Sequence, residues 1–219
     1  MAFTVHAVMP GVWHIVDCMG VCMTLLEGEN AAMLVDTGYG IEDVADFMRH
    51  MTDLPLTVFL THNHHDHAMG ARCFPETYML EADMADWRMF TNDEMRRRVL
   101  TQAIGKNLPV DEKTFLAGEI PLPKVMKPGV IDLGGLTAEI IEAPGHTPGS
   151  AVVYVPERKL LLSGDDWNPC TWLFFPQALG LREYRSNMRG IQQLPFEKVL
   201  CPHREALYDL SLIHISEPT

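Results

Sequence analysis

Leu56-Thr57-Val58-Phe59-Leu60 followed by Thr61-His62-Asn63-His64-His65-Asp66-His67 is the stretch whose reading decides the fold. The first five residues are apolar or β-branched and read as a buried strand. The next seven carry the pattern H-x-H-x-D-H, formed by His62, His64, Asp66 and His67. Imidazole nitrogen and carboxylate oxygen are donors that Zn²⁺ and related divalent ions prefer. From the composition of this chain, the pattern arises by chance on the order of one time in a thousand. A strand feeding such a cluster is where an α/β sandwich would hold a site.

Outward from this stretch, residues 3–8, 11–17, 21–27 and 31–36 are apolar or β-branched runs. Pro10-Gly11, Gly20 and Gly28-Glu29-Asn30 separate them, and gaps this short predict antiparallel hairpins. Asp36-Thr37-Gly38-Tyr39-Gly40 closes the fourth run. Ile41, Val44, Ala45, Phe47 and Met48 then recur at helical spacing over residues 41–51. Beyond the cluster, 77–80 reads as a short strand and 82–90 and 92–104 as helices. The second helix opens with Thr91 and Glu94 in a capping box, and Met95, Val99, Leu100, Ala103 and Ile104 form its apolar stripe. Arg96-Arg97-Arg98, close to Asp93 and Glu94, reads as a solvated face rather than a phosphate site. Residues 106–127 are polar and rich in proline and glycine, which predicts a surface excursion. The segment 82–127 thus reads as a helical, cap-like insertion over the site, with Trp87, Phe90 and Met95 among its apolar residues. Strands are predicted at 129–133, 136–142, 151–155, 159–162 and 198–200, the first two joined at Gly134-Gly135. A helix is expected at about 181–194.

The 219 residues suffice for one sizeable core, and no repeat or low-complexity linker divides residues 1–210. No apolar run approaches the roughly 18 residues of a membrane span. The formal charge of −12 argues against a general nucleic-acid binder, which would present a basic face. Cys18, Cys22, Cys73, Cys170 and Cys201 are an odd, scattered set, as expected of free thiols in a reducing cytoplasm. The N-terminus lacks a signal sequence, which also points to the cytoplasm. Residues 211–219 resemble a translated adapter scar rather than the end of a fold, so His214 receives no functional role and the natural chain is expected to end elsewhere.

Three more ligand-type residues, His146, Asp165 and His203, fall just after predicted strands in turns rich in glycine and proline. With Asp36-Thr37-Gly38, the His62–His67 cluster, Gly145-His146-Thr147-Pro148-Gly149, Gly164-Asp165 and Pro202-His203, the chain resembles the metallo-β-lactamase-fold hydrolase superfamily, in its hydroxyacylglutathione-hydrolase-like branch. The resemblance implies an α+β, four-layer αββα sandwich with a metal site at one edge of two sheets. By position it implies His62, His64 and His146 at a first ion and Asp66, His67 and His203 at a second, bridged by Asp165. Asp36 would orient the loop from behind. Arg204 stands where the family usually has a glycine after the last histidine. Asn63 and His65, alternating with the ligands, are expected to point away.

The resemblance further implies two Zn²⁺, with iron or manganese as substitutes, and a bridging hydroxide that attacks an ester-type carbonyl in a thioester, ester or lactone. Asp66 and Asp165 would serve as catalytic carboxylates, orienting that hydroxide and returning its proton. The bridging aspartate argues against a true β-lactamase. Trp167, Trp172 and Tyr184 are candidates for the pocket of a small-molecule substrate, and neither nucleic acid nor a membrane is expected as partner. The rival readings are a sulfur dioxygenase of the same fold, with one iron on two histidines and an aspartate, and a metal-binding protein without turnover.

Overall fold

The computed structural model describes residues 3–168 and 171–209; Cys170 and the tail 211–219 with His214 lie outside them. Two sheets follow the chain almost in order. The first contains β1 (Thr4–Met9), β2 (Val12–Val16), β3 (Cys22–Glu27), β4 (Ala32–Val35), β5 (Leu56–Phe59), β6 (Tyr78–Met79) and β7 (Lys124–Val125). The second contains β8 (Gly129–Asp132), β9 (Thr137–Glu142), β10 (Ala151–Val155), β11 (Leu160–Leu162), β12 (Lys198–Leu200) and β13 (Tyr208–Asp209). Among the described residues, six α-helices accompany them: α1 (Val44–Met51), α2 (His65–Ala68), α3 (Trp87–Thr91), α4 (Asp93–Gly105), α5 (Glu112–Phe115) and α6 (Leu181–Ile191). No helix among the described residues is long and apolar enough to cross a membrane.

The period of two along each strand builds the layers. In β4, Met33 and Val35 face inward while Ala32 and Leu34 face α1; in β10, Val153 and Val155 face inward while Val152 and Tyr154 face α6. The inner faces meet in one core, where Val35 and Phe59 pack with Ile140, Val153, Leu162 and Leu200. Outside it, Val44, Ala45 and Met48 of α1 cover the first sheet, and Met188 and Ile191 of α6 cover the second. The molecule is the four-layer αββα sandwich. Both outer faces of its sheets are apolar, so neither sheet could stand in water alone.

Directions decide where the site can form. β4 and β5 are parallel, and so are β11 and β12, while β9 and β11 each lie antiparallel to β10. The C-terminal ends of β4 and β5 thus share one edge of their sheet, and those of β9, β11 and β12 share one edge of theirs. A backbone bond from Ala151 N–H to the Thr61 carbonyl (2.9 Å) joins the two sheets there.

The 82–127 segment departs from its sequence reading in four ways. Asn92, not Thr91, caps α4: its side chain accepts the Met95 N–H at 2.9 Å, because the Thr91 hydroxyl already donates to the Trp87 carbonyl. Arg96 is no part of a solvated face. It is 1% exposed and donates to the Phe115, Ala117 and Gly118 carbonyls just beyond α5, with Asp93 at 3.1 Å. A helix end leaves carbonyls unpaired and carries partial negative charge, which a guanidinium satisfies. Arg97 and Arg98 remain exposed. Nor is 106–127 only an excursion, since Phe115 and Ile120 are buried with Trp87, Val99, Leu100 and Ala103, and β7 extends the first sheet. Ile104 falls off the apolar stripe, at 56% exposed.

Candidate metal centre

The residues that the sequence singles out converge on the shared edge. Asp36 follows β4, the His62–His67 stretch follows β5, His146 follows β9, Asp165 follows β11 and His203 follows β12. The chain bends at His62, passes His64 in extended conformation and then turns into α2, which aims Asp66 and His67 at the opposite side of the cluster. His64 Nδ1 and His146 Nε2 lie 2.8 Å apart. Asp165 sits between the two sides, with Oδ2 at 3.4 Å from His146 Nε2 and Oδ1 at 3.4 Å from His67 Nε2 and 3.1 Å from His203 Nε2. Asp66 Oδ2 lies 3.8 Å from His67 Nε2 and 3.7 Å from His203 Nε2. Three groups therefore gather their donor atoms within 4.8 Å of one another: His62, His64 and His146; His62, His67 and Asp165; Asp66, His67 and His203.

Two nitrogens test whether a divalent ion fits. His62 Nε2 and His67 Nε2 are buried without a hydrogen-bond partner, a costly condition for polar atoms unless another ligand takes them. Their opposite nitrogens are engaged. Thr61 Oγ1 donates to Asp36, so at 3.1 Å it accepts the Nδ1–H of His62; the Nδ1–H of His67 goes to Asp36 Oδ2 at 2.9 Å. In the neutral rings this leaves the lone pair on Nε2, turned into the cluster. His146 repeats the arrangement through Nδ1–H to the Trp172 carbonyl, at 2.7 Å. Imidazoles held from behind with carboxylates between them are a donor set that suits divalent metals.

Electrostatics agree. Burial lowers the pKa of His64 to about 3 and also lowers those of His62 and His146, keeping their lone pairs free of protons. Burial would lower that of His67 too, but Asp165, Asp66 and Asp36 together raise it well above normal. This half of the cluster therefore favours positive charge. Against its own burial, Asp165 is held far below the usual carboxylate range by His67 and His203, and Asp66 is held low by His67 and His65. Burial pushes the next residue, Asp166, up to about 8; it turns aside and accepts the backbone N–H of His146 at 2.7 Å. Of the two adjacent aspartates, Asp165 is the one that faces the histidines.

Two buried aspartates fix the frame. Asp36, at φ +65°, takes the left-handed backbone region that costs a non-glycine residue of order 1 kcal/mol. That turn lets its carboxylate accept from the Thr61 N–H (2.7 Å), the Thr61 hydroxyl and His67 at once. Asp83, 1% exposed, ties two loops together: it accepts from Asn63 N–H (3.2 Å), Thr147 Oγ1 (2.7 Å) and Gly149 N–H (2.6 Å). Sequence reading missed Asp83, because nothing local marks an aspartate in Glu81-Ala82-Asp83 as the tie between segments 63 and 147–149. Asn63 does point away from the cluster, onto Asp83, and His65 packs edge-on to Tyr39.

The three candidate pocket side chains each make other contacts. Trp167 packs edge-on to Phe196 in the apolar layer beneath α6. The Tyr184 hydroxyl is taken up by the Asp166 carbonyl, while its ring lies against Gly145. Trp172 serves through its carbonyl and leaves its indole 53% exposed. The rings that flank His64 are Phe90, with centroids 4.4 Å apart, and Phe175, at 4.9 Å. Both also line a groove of about 600 Å³ with His65, Met95, Arg98 and Val99.

The sequence profile described as the metallo-beta-lactamase superfamily matches residues 16–203, which spans every residue of this cluster. The chain belongs to the metallo-β-lactamase superfamily. Within it, the chain is 26% identical to a chicken (Gallus gallus) acyl-coenzyme A thioesterase, MBLAC2, over 219 aligned positions that cover 88% of this chain and 77% of the relative. A metallo-beta-lactamase from Pontibacter korlensis superposes with TM-score 0.67 at 19% identity, covering 96% of this chain and 94% of the other. A sec-alkylsulfatase, Pisa1 of Pseudomonas sp., gives TM-score 0.70 at 15% identity, covering 94% of this chain and 39% of the other. Members of the superfamily with such different named activities share this sandwich, so the fold alone does not select a reaction.

Proposed function

We propose that this protein is a metal-dependent hydrolase of acyl thioesters, with two divalent ions, zinc foremost, held by His62, His64 and His146 on one side and by Asp66, His67 and His203 on the other. Asp165 would serve both. The observation that carries this reading is the position of Asp165, in reach of His146 on one side and of His67 and His203 on the other. When bound, such ions supply Lewis acidity toward a carbonyl oxygen and lower the pKa of water to about 7. The similarity to an acyl-coenzyme A thioesterase supports a thioester as substrate among ester-type carbonyls.

The chain's own residues complete the chemistry. Asp36 fixes the His67 ring and Thr61 in one hydrogen-bonded unit, so that the Nε2 lone pairs of His62 and His67 do not wander. His64 needs a free Nδ1 and a protonated Nε2; the side-chain amide of Gln177, 2.9 Å from Nε2, can turn its oxygen there to accept that proton. Asp66, its side chain 16% exposed at the centre and held ionised by His67 and His65, is the carboxylate placed to take a proton from an attacking water and pass it to a departing thiolate. Phe90 and Phe175 keep water from the His64 side and raise the strength of every polar contact there.

Metal analysis of protein purified without added metal, paired with a panel of thioester, lactone, β-lactam and phosphodiester substrates, tests the proposal. The expected result is close to two metal equivalents, mostly zinc, with thioester turnover that dialysis against a chelator abolishes. One iron equivalent with oxygen uptake dependent on glutathione persulfide would replace it by the sulfur-dioxygenase reading. Metal without turnover of any substrate would favour a binding protein.

A further inference from the structure

The groove beside His64 and the arginines of α6 are connected along the chain by one loop, and neither is used by the metal cluster. Residues 171–180 bring Phe175 to His64, bond to Gly145 through the Leu179 N–H, and then enter α6. On one side, the groove of about 600 Å³ continues from Phe90 and Phe175 over Met95 and Val99 along α4, with Thr101 and Gln102 further on. Its walls nearest His64 are apolar, and Arg98 can lay its methylenes along them with its charge in water. On the other side, Arg182, Arg185 and Arg189 recur at i, i+3 and i+7 of α6 and line one shallow depression of about 540 Å³. All three are exposed, and none has an ion-pair partner among the described residues. Tyr184, Met188 and Ile191 occupy the packed side of the same helix.

In a chain of net charge −12, three arginines on one helix face, with Glu183 beside them but no ion pair among the described residues, form a surface complementary to an anion. A ligand with an apolar arm and a polyanionic arm, joined at a reactive carbonyl, matches the two features in order. We propose that the α4 groove holds the acyl chain of the substrate and that the arginine face of α6 receives the phosphates of its thiol carrier. This orientation rests on the thioester reading above. It adds which end lies where, and it makes the enzyme selective for long acyl chains on a phosphorylated carrier.

Acyl thioesters of rising chain length, each on coenzyme A and on the phosphate-free thiol N-acetylcysteamine, separate the two arms. With the wild-type enzyme, kcat/KM is expected to rise about fourfold per added methylene until the groove is filled. Thr101→Trp or Gln102→Trp, both at exposed positions of α4, should lower the ratio of long-chain to short-chain kcat/KM by about tenfold or more. The double variant Arg185→Glu with Arg189→Glu should lower the ratio of coenzyme A to N-acetylcysteamine esters by about tenfold, and remove the salt dependence of that ratio. Circular dichroism and metal content should match the wild type in each.

Chain-length profiles that stay flat, or that Thr101→Trp leaves alone, would overturn the groove assignment. So would a Thr101→Trp effect on carrier preference instead, since the carrier would then occupy the groove. Carrier preference untouched by the arginine reversals would overturn the α6 assignment. Calorimetry with the non-hydrolysable S-hexadecyl coenzyme A separates this inference from the hydrolase reading. Binding weakened by the α4 and α6 variants without any turnover of thioesters would uphold the orientation and reject thioester hydrolysis. Absence of binding would reject the orientation even in an active hydrolase.

Discussion

Asp36 and Asp83 hold the two sides of the same cluster by different means. Asp36 grips a ring of the cluster itself, His67 Nδ1 at 2.9 Å, together with Thr61, which in turn holds His62. Asp83 touches no histidine; it ties the backbone beside His62 and His64 to the loop that carries His146. Asp36 sets ring orientation and nitrogen protonation, while Asp83 sets the distance between two loops. A ring loses its aim as soon as its partner is removed, whereas a loop retains its other bonds, such as Gly145 N–H to the Thr147 carbonyl.

The largest effect that can break this picture comes from the shared residue. Asp165→Asn removes the only carboxylate among the described residues within reach of both sides. It should abolish thioester turnover and leave less than the full metal complement, as read by elemental analysis; full metal and full activity would end the two-sided reading. Next, Asp36→Ala should weaken metal affinity about 10–100-fold in competition with a chromophoric chelator. Asp83→Asn keeps the shape but changes an acceptor into a donor facing Thr147 or Asn63. It should weaken affinity by about tenfold or less, with the loss confined to one of two metal equivalents. If Asp83→Asn proves the more damaging, loop spacing rather than ring aim governs the site.

Two further variants test regions remote from the cluster. Arg96→Met would strand the Phe115 carbonyl in the interior and strip the Ala117 and Gly118 carbonyls, nearer the surface, of their donor. It should lower stability to urea by about 1–3 kcal/mol while metal content stays complete. Asp17 is a third buried aspartate that accepts only backbone N–H groups, those of Met19, Val21 and Tyr39. Burial raises its pKa from 3.8 to about 6. A carboxyl with a raised folded pKa contributes fully below its unfolded value and loses that contribution as pH rises toward the folded one. Stability should therefore decline between about pH 4 and 6, and Asp17→Asn should flatten that slope in urea titrations without altering metal affinity. A change in metal affinity would make Asp17 part of the frame as well.

Much of this was legible in the sequence. Strand positions followed from apolar runs between glycine and proline, since both sheets are buried on two faces; 198–200 matches β12 to the residue, and 31–36 brackets β4. Helix ends were less legible, because a cap is a competition. Thr91 and Asn92 both suit the role, and it was the Trp87 carbonyl, one turn back, that removed Thr91. The short strands β7 and β13 escaped because each has two residues and exists only by pairing with a neighbour.

By itself the sequence picked out the residues proposed for the centre: His62, His64, Asp66, His67, His146, Asp165 and His203 each stand just past a strand, and strand ends are local properties. Tertiary structure alone decided the rest. The parallel course of β4 with β5 and of β11 with β12 brought those ends to one edge. Burial divided Asp165 from Asp166, turning one toward the histidines and the other onto a backbone N–H. Packing set Trp167 on Phe196 beneath α6, turned Tyr184 of α6 onto Gly145, and put Phe90 and Phe175 against His64. Which side of an aromatic residue finds a partner depends on elements distant in the chain, and no local pattern encodes that.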